Sequence, residues 1–92
     1  VDLDGNKIYF YKNGALQGAS GVTITAASAT TNGHYFVGFG ALGGQDTFEV
    51  NFGSPPFAIS SGNQDGNGYG NFEYAVPSGY FALNTKNLAE YG

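Results

Sequence analysis

Apolar and polar side chains alternate along several short stretches of this 92-residue chain, and such alternation is typical of β-strands whose two faces differ in surroundings. In DTFEVNFG, Phe48, Val50 and Phe52 share one face and polar residues occupy the other. GVTITAAS and HYFVGFGAL alternate similarly, and NFEYAV and GYFALN are further strand candidates. Only the final TKNLAEYG suggests a helix, and it is short. The pattern predicts an all-β chain.

The stretch KIYFYKNGALQG predicts a β-hairpin. It joins two runs of strand-forming residues through Asn13 and Gly14. Asn-Gly suits a two-residue type I′ turn, because both central residues need a positive φ and these two adopt it most readily. Asp4 and Gly5 predict a turn just before this hairpin, so Val1 to Leu3 should end a preceding strand.

The spacing of the strands favours an antiparallel β-sandwich or jelly roll. Pro55 and Pro56 cannot donate to a ladder and should end the sheet, and Phe57 should pack beneath the loop after them. A 92-residue chain supports one modest core, so a single domain or part of one is expected.

Several of these pieces, in this order, resemble the second half of a SPRY domain, a family with a two-sheet, concanavalin-like sandwich. The matching residues are Asp2, Asp4, Phe10, Asn13, Gly14, Asn51, Phe52, Gly53, Pro56 and Phe57. The resemblance implies that residues 1–57 are the C-terminal part of such a sandwich, whose first half would precede Val1. Residues 58–92 would form a glycine-rich loop and closing strands leading to a following domain.

The segment DGNGYGNFEYAVPSGYFALNTKNLAEYG resembles the stretch found after such domains in structural proteins of bacteriophages and marine viruses. This resemblance implies a non-enzymatic structural or binding module of a virion, engaged in assembly or host-surface contact. Its partners would be virion proteins or a host-surface glycan. A peptide-binding SPRY adaptor and a lectin-like glycan-binding domain are the alternatives.

Composition narrows the classes of partner. The chain has 3 cationic and 7 acidic residues and a net charge of −4, which argues against nucleic acid, because phosphate binding needs clustered cations. No apolar run is long enough for a membrane span. Cysteine is absent, so no thiolate ligand or disulfide is available.

The stretch SGNQDGNGYGNFEY imitates a calcium loop, with Asn63, Asp65 and Asn67 at alternate positions and then Gly68. An EF-hand needs a Glu at position 12, whereas Glu73 falls at position 11 when Asn63 is position 1. DLDGN, residues 2–6, has similar spacing but no Glu at the right distance after it. We therefore expect turns rather than a metal site, and no cofactor.

The sequence gives little support for a catalytic site. The one histidine, His34, has no nucleophile-elbow motif near Ser20, Ser28 or Ser60. Glu49 and Asp46 could form a carboxylate pair, but Glu49 alternates outward on its predicted strand rather than into a cleft. The chain is therefore expected not to be an enzyme.

Tyrosine and asparagine beside glycine-rich loops offer the best candidate binding residues, since Tyr gives rigid amphipathic contact area and Asn adaptable hydrogen bonds. The candidates for ligand binding are Tyr9, Tyr11, Asn67, Tyr69 and Tyr74. These tyrosines could equally cover a second sheet or a missing partner. The aromatic residues exceed what one small sheet can hide, which predicts a homodimer or larger assembly.

Overall fold

The computed structural model describes all residues, 1–92, and divides them into two compact units, Val1–Asp46 and Thr47–Gly92. The first unit contains strand β1, Lys7–Lys12, strand β2, Ala15–Thr23, and a 3-10 turn at Ala27–Ala29. The second contains one helix, α1, Thr85–Tyr91. No helix is both long and apolar enough to cross a bilayer. The predicted boundary at residues 57 and 58 stays a prediction.

The predicted hairpin is confirmed. β1 and β2 pair antiparallel, with Lys12 opposite Ala15 at the turn. Asn13 and Gly14 have φ values of 50° and 78°, as a type I′ turn requires. Local chemistry determines the turn end of this element, because the turn dipeptide specifies the register of the pairs next to it, Lys12 with Ala15 and Tyr11 with Leu16.

The register of the hairpin shifts halfway along it. Phe10 lies opposite Gln17, whereas Ile8 lies opposite Val22, so β2 carries extra residues between these pairs. Gly18 and Gly21, at φ 68° and 65°, bend β2 there. The Nζ of Lys7 donates to the carbonyl oxygen of Ser20 at 2.7 Å and holds the bulged backbone.

Gly21 is required for a close approach as well as for its φ. A Cβ there would lie 2.7 Å from Cε1 of Tyr9, whereas a Cβ on Gly18 would meet nothing within 4 Å. We therefore expect Gly18→Ala to cost about 1–2 kcal/mol of unfolding free energy through φ strain. Gly21→Ala should cost roughly 1–3 kcal/mol more through overpacking against Tyr9. Denaturant unfolding of both variants tests this, and equal costs would contradict the role given to Tyr9.

A second turn precedes the hairpin, and the turn predicted at Asp4 and Gly5 is confirmed. Asp2 and Lys7 exchange backbone hydrogen bonds of 2.7 and 2.9 Å, and the amide of Gly5 donates to Oδ1 of Asp2 at 2.8 Å. Asp2 pairs only with Lys7, as an isolated bridge. Val1 to Leu3 therefore form no strand in the structure.

The predicted all-β antiparallel β-sandwich is wrong. The structure contains a two-stranded sheet, β1–β2, and one helix. HYFVGFGAL, NFEYAV and GYFALN form no strands beyond an isolated bridge at Phe72. DTFEVNFG is also irregular, with Phe48 and Phe52 exposed rather than inward. Alternation specifies the faces of a strand, but a strand also needs a neighbouring strand to take its backbone hydrogen bonds, and none of these segments forms a ladder with one beyond the single bridge at Phe72.

No hydrophobic side chain is buried, and the accessible surface is 7013 Å². A compact protein of 9.6 kDa would expose about 5,100 Å². Two separate compact units of half that mass would together expose about 6,100 Å² by the same scaling. The chain therefore exposes more surface than two separate compact units of the same total mass would, and none of its hydrophobic side chains is buried.

Candidate functional site

The two most buried residues of the chain are polar and belong to the second unit. Asp65 and Asn87 are each 7% exposed. A buried carboxylate is costly unless hydrogen bonds compensate it, so the hydrogen bonds around Asp65 are expected to organise this unit. We call Asp65, Asn67, Tyr69, Ala82 and Asn87 the Asp65 centre.

One oxygen of Asp65 forms the turn that contains it. Oδ1 accepts hydrogen bonds from the amides of Asn67 and Tyr69, both at 3.0 Å. The backbone of Asp65 closes the same turn, because its amide donates to the carbonyl of Tyr69 and its carbonyl accepts from Gly68. Such side-chain-to-backbone bonds are the reason that aspartate favours turns.

The other oxygen of Asp65 joins this turn to two distant segments. Oδ2 accepts from the amide of Ala82 at 2.9 Å and from Nδ2 of Asn87 at 2.7 Å. Asn87 also donates to the carbonyl of Ala82 at 2.8 Å and accepts from Nδ2 of Asn67 at 2.7 Å. Every polar atom of the Asn87 side chain thus has a partner inside the centre.

Helix α1 brings Asn87 to this position. Asn84 is the N-cap of the helix, and its Oδ1 accepts from the amide of Asn87 at 2.8 Å. Capping satisfies an amide that would otherwise lack a partner in the first turn. Asn87 is the one buried residue of α1, so this short helix docks through an amide rather than through an apolar stripe.

Hydrogen bonds determine the charge state of Asp65. Burial of the carboxyl acts to raise its pKa, but donation from the amides of Ala82 and Tyr69, the side chain of Asn87 and the amide of Asn67 lowers the pKa to about 2. Four donors occupy the roughly four lone-pair positions that a carboxylate offers. A cation at Asp65 would have to displace them, which accords with the turn interpretation of this loop.

Glu73, the other acid of the calcium-like stretch, is bound elsewhere. Its carboxylate accepts from the hydroxyl of Ser60 at 2.5 Å, the amide of Ser60 at 2.8 Å and the hydroxyl of Ser61 at 3.1 Å. The bonds from the Ser60 hydroxyl and amide lower the pKa of Glu73 despite some desolvation. No three His, Cys, Asp or Glu side chains converge to hold a metal ion.

The candidate binding residues of the second unit have different surroundings. Asn67 donates its side-chain amide to Asn87, and the Tyr69 hydroxyl donates to Oε2 of Glu90. That bond and partial burial raise the pKa of Tyr69 to about 12, and Nζ of Lys86 lies 4.8 Å from the centroid of its ring. Asn67 and Tyr69 therefore tie the loop to α1, whereas Tyr74 is exposed.

In the first unit, β1 carries both remaining candidates. The Tyr9 ring lies against Gly21 and is half-buried, whereas the Tyr11 side chain is exposed. His34 lines an open depression of about 300 Å³ with Thr30, Thr31, Asn32, Tyr35 and Phe36. Its Nδ1 is bonded to the carbonyl of Asn32 at 2.8 Å, and no carboxylate lines the depression to orient the ring.

Sequence reasoning missed Asn84, Asn87 and Glu90. A signal for Asn84 was present, because an Asn placed before a short helical segment is a typical N-cap. Nothing local indicated that Asn87 would face an aspartate 22 residues earlier. No sequence motif indicated a role for Glu90.

The Asp65 centre predicts that stability depends on pH at both extremes. The pKa of Asp65 falls from an ordinary 3.8 to about 2 on folding, so the unfolded state binds more protons between these values. The contribution of Asp65 should be fully present well above pH 3.8 and decline as pH falls through that value towards 2, and the lowered pKa of Glu73 adds to the loss at the upper end of this window. The pKa of Tyr69 rises from 10.0 to about 12, so stability should also decline as pH rises through that window.

Carbon-bound proton signals of residues 47–92, followed by NMR from pH 6 to 1.5 and from 9 to 12.5, measure this effect. Asp4→Asn is the control and should keep the acid dependence, because Asp4 lies in an exposed turn. Equal stability at pH 5 and pH 2 would contradict the assigned role of Asp65.

No family model, curated protein or solved structure matches this chain.

Proposed function

We propose that this chain is a non-enzymatic structural module of a phage or viral particle and that it assembles with a second copy of itself through residues 35–42. The viral setting rests on the resemblance of its sequence segments to virion proteins. The mode of action rests on one structural observation, the uncovered apolar side chains of the first unit.

These side chains are exposed to an unusual degree. Phe36 is 91% exposed and Leu42 102%, with Val37 at 53% between them. Single exposed apolar residues are normal, whereas a contiguous exposed apolar patch marks an interaction site. Residues 37–42 have no regular secondary structure, and no strand pairing or isolated bridge of the chain includes them.

The size of the uncovered surface fits a second copy. The chain exposes 7013 Å², roughly 900 Å² more than two separate compact units would. A standard protein–protein interface buries about 800 Å² on each partner. The excess is spread over the whole chain, and its size is of the order that one partner contributes to such an interface.

The charge pattern also favours self-association. From His34 to Gln45 the chain carries no Asp, Glu, Lys or Arg. In a two-fold interface both copies use the same patch, and a residue on the axis meets its own copy, so a charge there would face a like charge. An uncharged segment meets itself without that repulsion, whereas the net charge of −4 would oppose contact through other surfaces.

Sedimentation equilibrium at micromolar concentration tests the mode of action. We expect a mass of at least twice the 9.6 kDa of one chain. A mass of one chain at that concentration would contradict the proposal. The viral setting is tested separately by the neighbouring genes, which should encode capsid, tail or fibre proteins, and genes for intracellular signalling domains there would contradict it.

A further inference from the structure

We propose that Asn13 is a site of spontaneous deamidation, whereas the fold protects Asn67, which also precedes a glycine. The chain contains three Asn-Gly pairs, at Asn13, Asn32 and Asn67. Glycine lacks a Cβ, so its amide nitrogen can approach the side chain of the preceding asparagine more easily than that of another residue. The structure places the three pairs in different surroundings, and the inference rests on that difference.

The reaction needs water and no other reagent. The amide nitrogen of Gly14 attacks Cγ of Asn13, a new N–Cγ bond forms, the Cγ–Nδ2 bond breaks, and ammonia leaves with the proton from the Gly14 amide. The product is a five-membered succinimide. Water then adds to either carbonyl and opens the ring to aspartate or to isoaspartate, whose backbone passes through the side-chain carbon.

Asn13 and Gly14 meet the requirements of this reaction. Both are exposed at the tip of the hairpin. The side chain of Asn13 has no hydrogen-bond partner, and Gly14 lies between the last pair of the ladder, Lys12 and Ala15, without an acceptor for its own amide. Nucleophile and leaving group are therefore both unrestrained. Hairpin tips also open at little cost in free energy.

Asn67 and Gly68 are restrained at both reacting groups. Nδ2 of Asn67 donates to Oδ1 of Asn87 at 2.7 Å, which holds the leaving group. The amide of Gly68 donates to the carbonyl of Asp65 at 3.0 Å, which holds the nucleophile. The Asn32–Gly33 pair is intermediate in restraint, because only its nucleophile is held: the amide of Gly33 donates a hydrogen bond to the carbonyl of Thr30 at 3.3 Å.

Deamidation at Asn13 would change the hairpin in two distinct ways. Either product adds a negative charge beside Lys12 and takes the net charge from −4 to one unit lower. Aspartate keeps the turn, since Asp-Gly also forms type I′ turns. Isoaspartate lengthens the backbone where Asn13 must hold a φ of 50°, so it should break the pairing of Lys12 with Ala15.

The test compares the three sites within one molecule. The chain is incubated in mildly alkaline buffer, folded and in urea, and chymotrypsin then separates the sites by cleavage at aromatic residues and Leu16. Mass spectrometry quantifies aspartate and isoaspartate at each site. In urea the three rates should be alike. In the folded chain the rate at Asn13 should stay the same as in urea, while the rate at Asn67 should fall about tenfold. This factor corresponds to a local opening free energy of about 1.4 kcal/mol at Asn67.

Two variants sharpen the result. Asn13→Gln should remove the early acidic form on isoelectric focusing, because the longer side chain would have to close a less favourable six-membered ring. Asn87→Ala removes the acceptor for Asn67 and should accelerate deamidation there without changing Asn13. Equal rates at Asn13 and Asn67 in the folded chain, or a slower rate at Asn13, would overturn the proposal.

Discussion

Asp65→Asn is expected to abolish the ordered structure of residues 47–92, although it replaces only one carboxylate oxygen by an NH₂ group. The carboxylate accepts two hydrogen bonds on each oxygen. An Asn side chain has one acceptor oxygen, so in either orientation its NH₂ group faces two donors. Buried donors without acceptors are among the most destabilising defects in a protein.

Hydrogen exchange measured by NMR tests this expectation directly. Protection of the Tyr69 and Ala82 amides, which donate to Asp65, should disappear in Asp65→Asn. The hairpin β1–β2 serves as an internal reference, and Asp4→Asn controls for the lost charge. Native protection of the two amides in Asp65→Asn would show that the centre does not stabilise the second unit.

The turn of the hairpin was predicted from the sequence, and its bulge was not. Asn13 and Gly14 predicted both the turn and its type because a positive φ at two successive residues depends on those residues alone. The bulge at Gly18 and Gly21 was not predicted. It depends on the fit of the Tyr9 ring against Gly21, which is a contact across the ladder.

The predicted strands failed for a different reason. The alternation around Phe48, Val50 and Phe52 is real, yet it records only which side chains would share a face. Whether such a segment becomes a strand depends on a neighbour that can accept and donate its backbone hydrogen bonds. A pattern within one segment carries no information about that neighbour.

The candidate site was predicted in part. Sequence reasoning assigned the Asp65 loop to a glycine-rich turn, and the turn from Asp65 to Tyr69 confirms that assignment. It also selected Asn67 and Tyr69 as ligand-binding residues, which stays a prediction, although their polar atoms already bond Asn87 and Glu90. The role of α1 was missed because a helix of seven residues is too short to show a period.

Stability and association are therefore expected to reside in different parts of the chain. The second unit is organised by a saturated carboxylate, which directs hydrogen bonds but covers little apolar surface. The first unit has a hairpin whose side chains Phe10, Tyr11 and Leu16 remain exposed. Neither unit gains much from the hydrophobic effect by itself, so association is where that free energy can still be released.

The double variant Phe36→Ser with Leu42→Ser is accordingly expected to convert the assembly into monomers. In a two-fold dimer each substitution counts twice. Burial of one such side chain stabilises by about 1.5 kcal/mol or more, so four lost side chains weaken association by about 6 kcal/mol, roughly four orders of magnitude in Kd. Sedimentation equilibrium of the variant beside the native chain measures this change.

Because Phe36 and Leu42 are exposed, their replacement should change association without changing the fold of one chain. Leu42 is 102% exposed and Phe36 91%, so their replacement removes almost no packing within one chain, and the Tyr69 and Ala82 amides should keep their protection from exchange. Gln45→Ala, at an exposed polar position three residues after this segment, should leave the mass of the assembly unchanged. A double variant that retains the native mass would place the interface outside residues 35–42 and contradict the proposal.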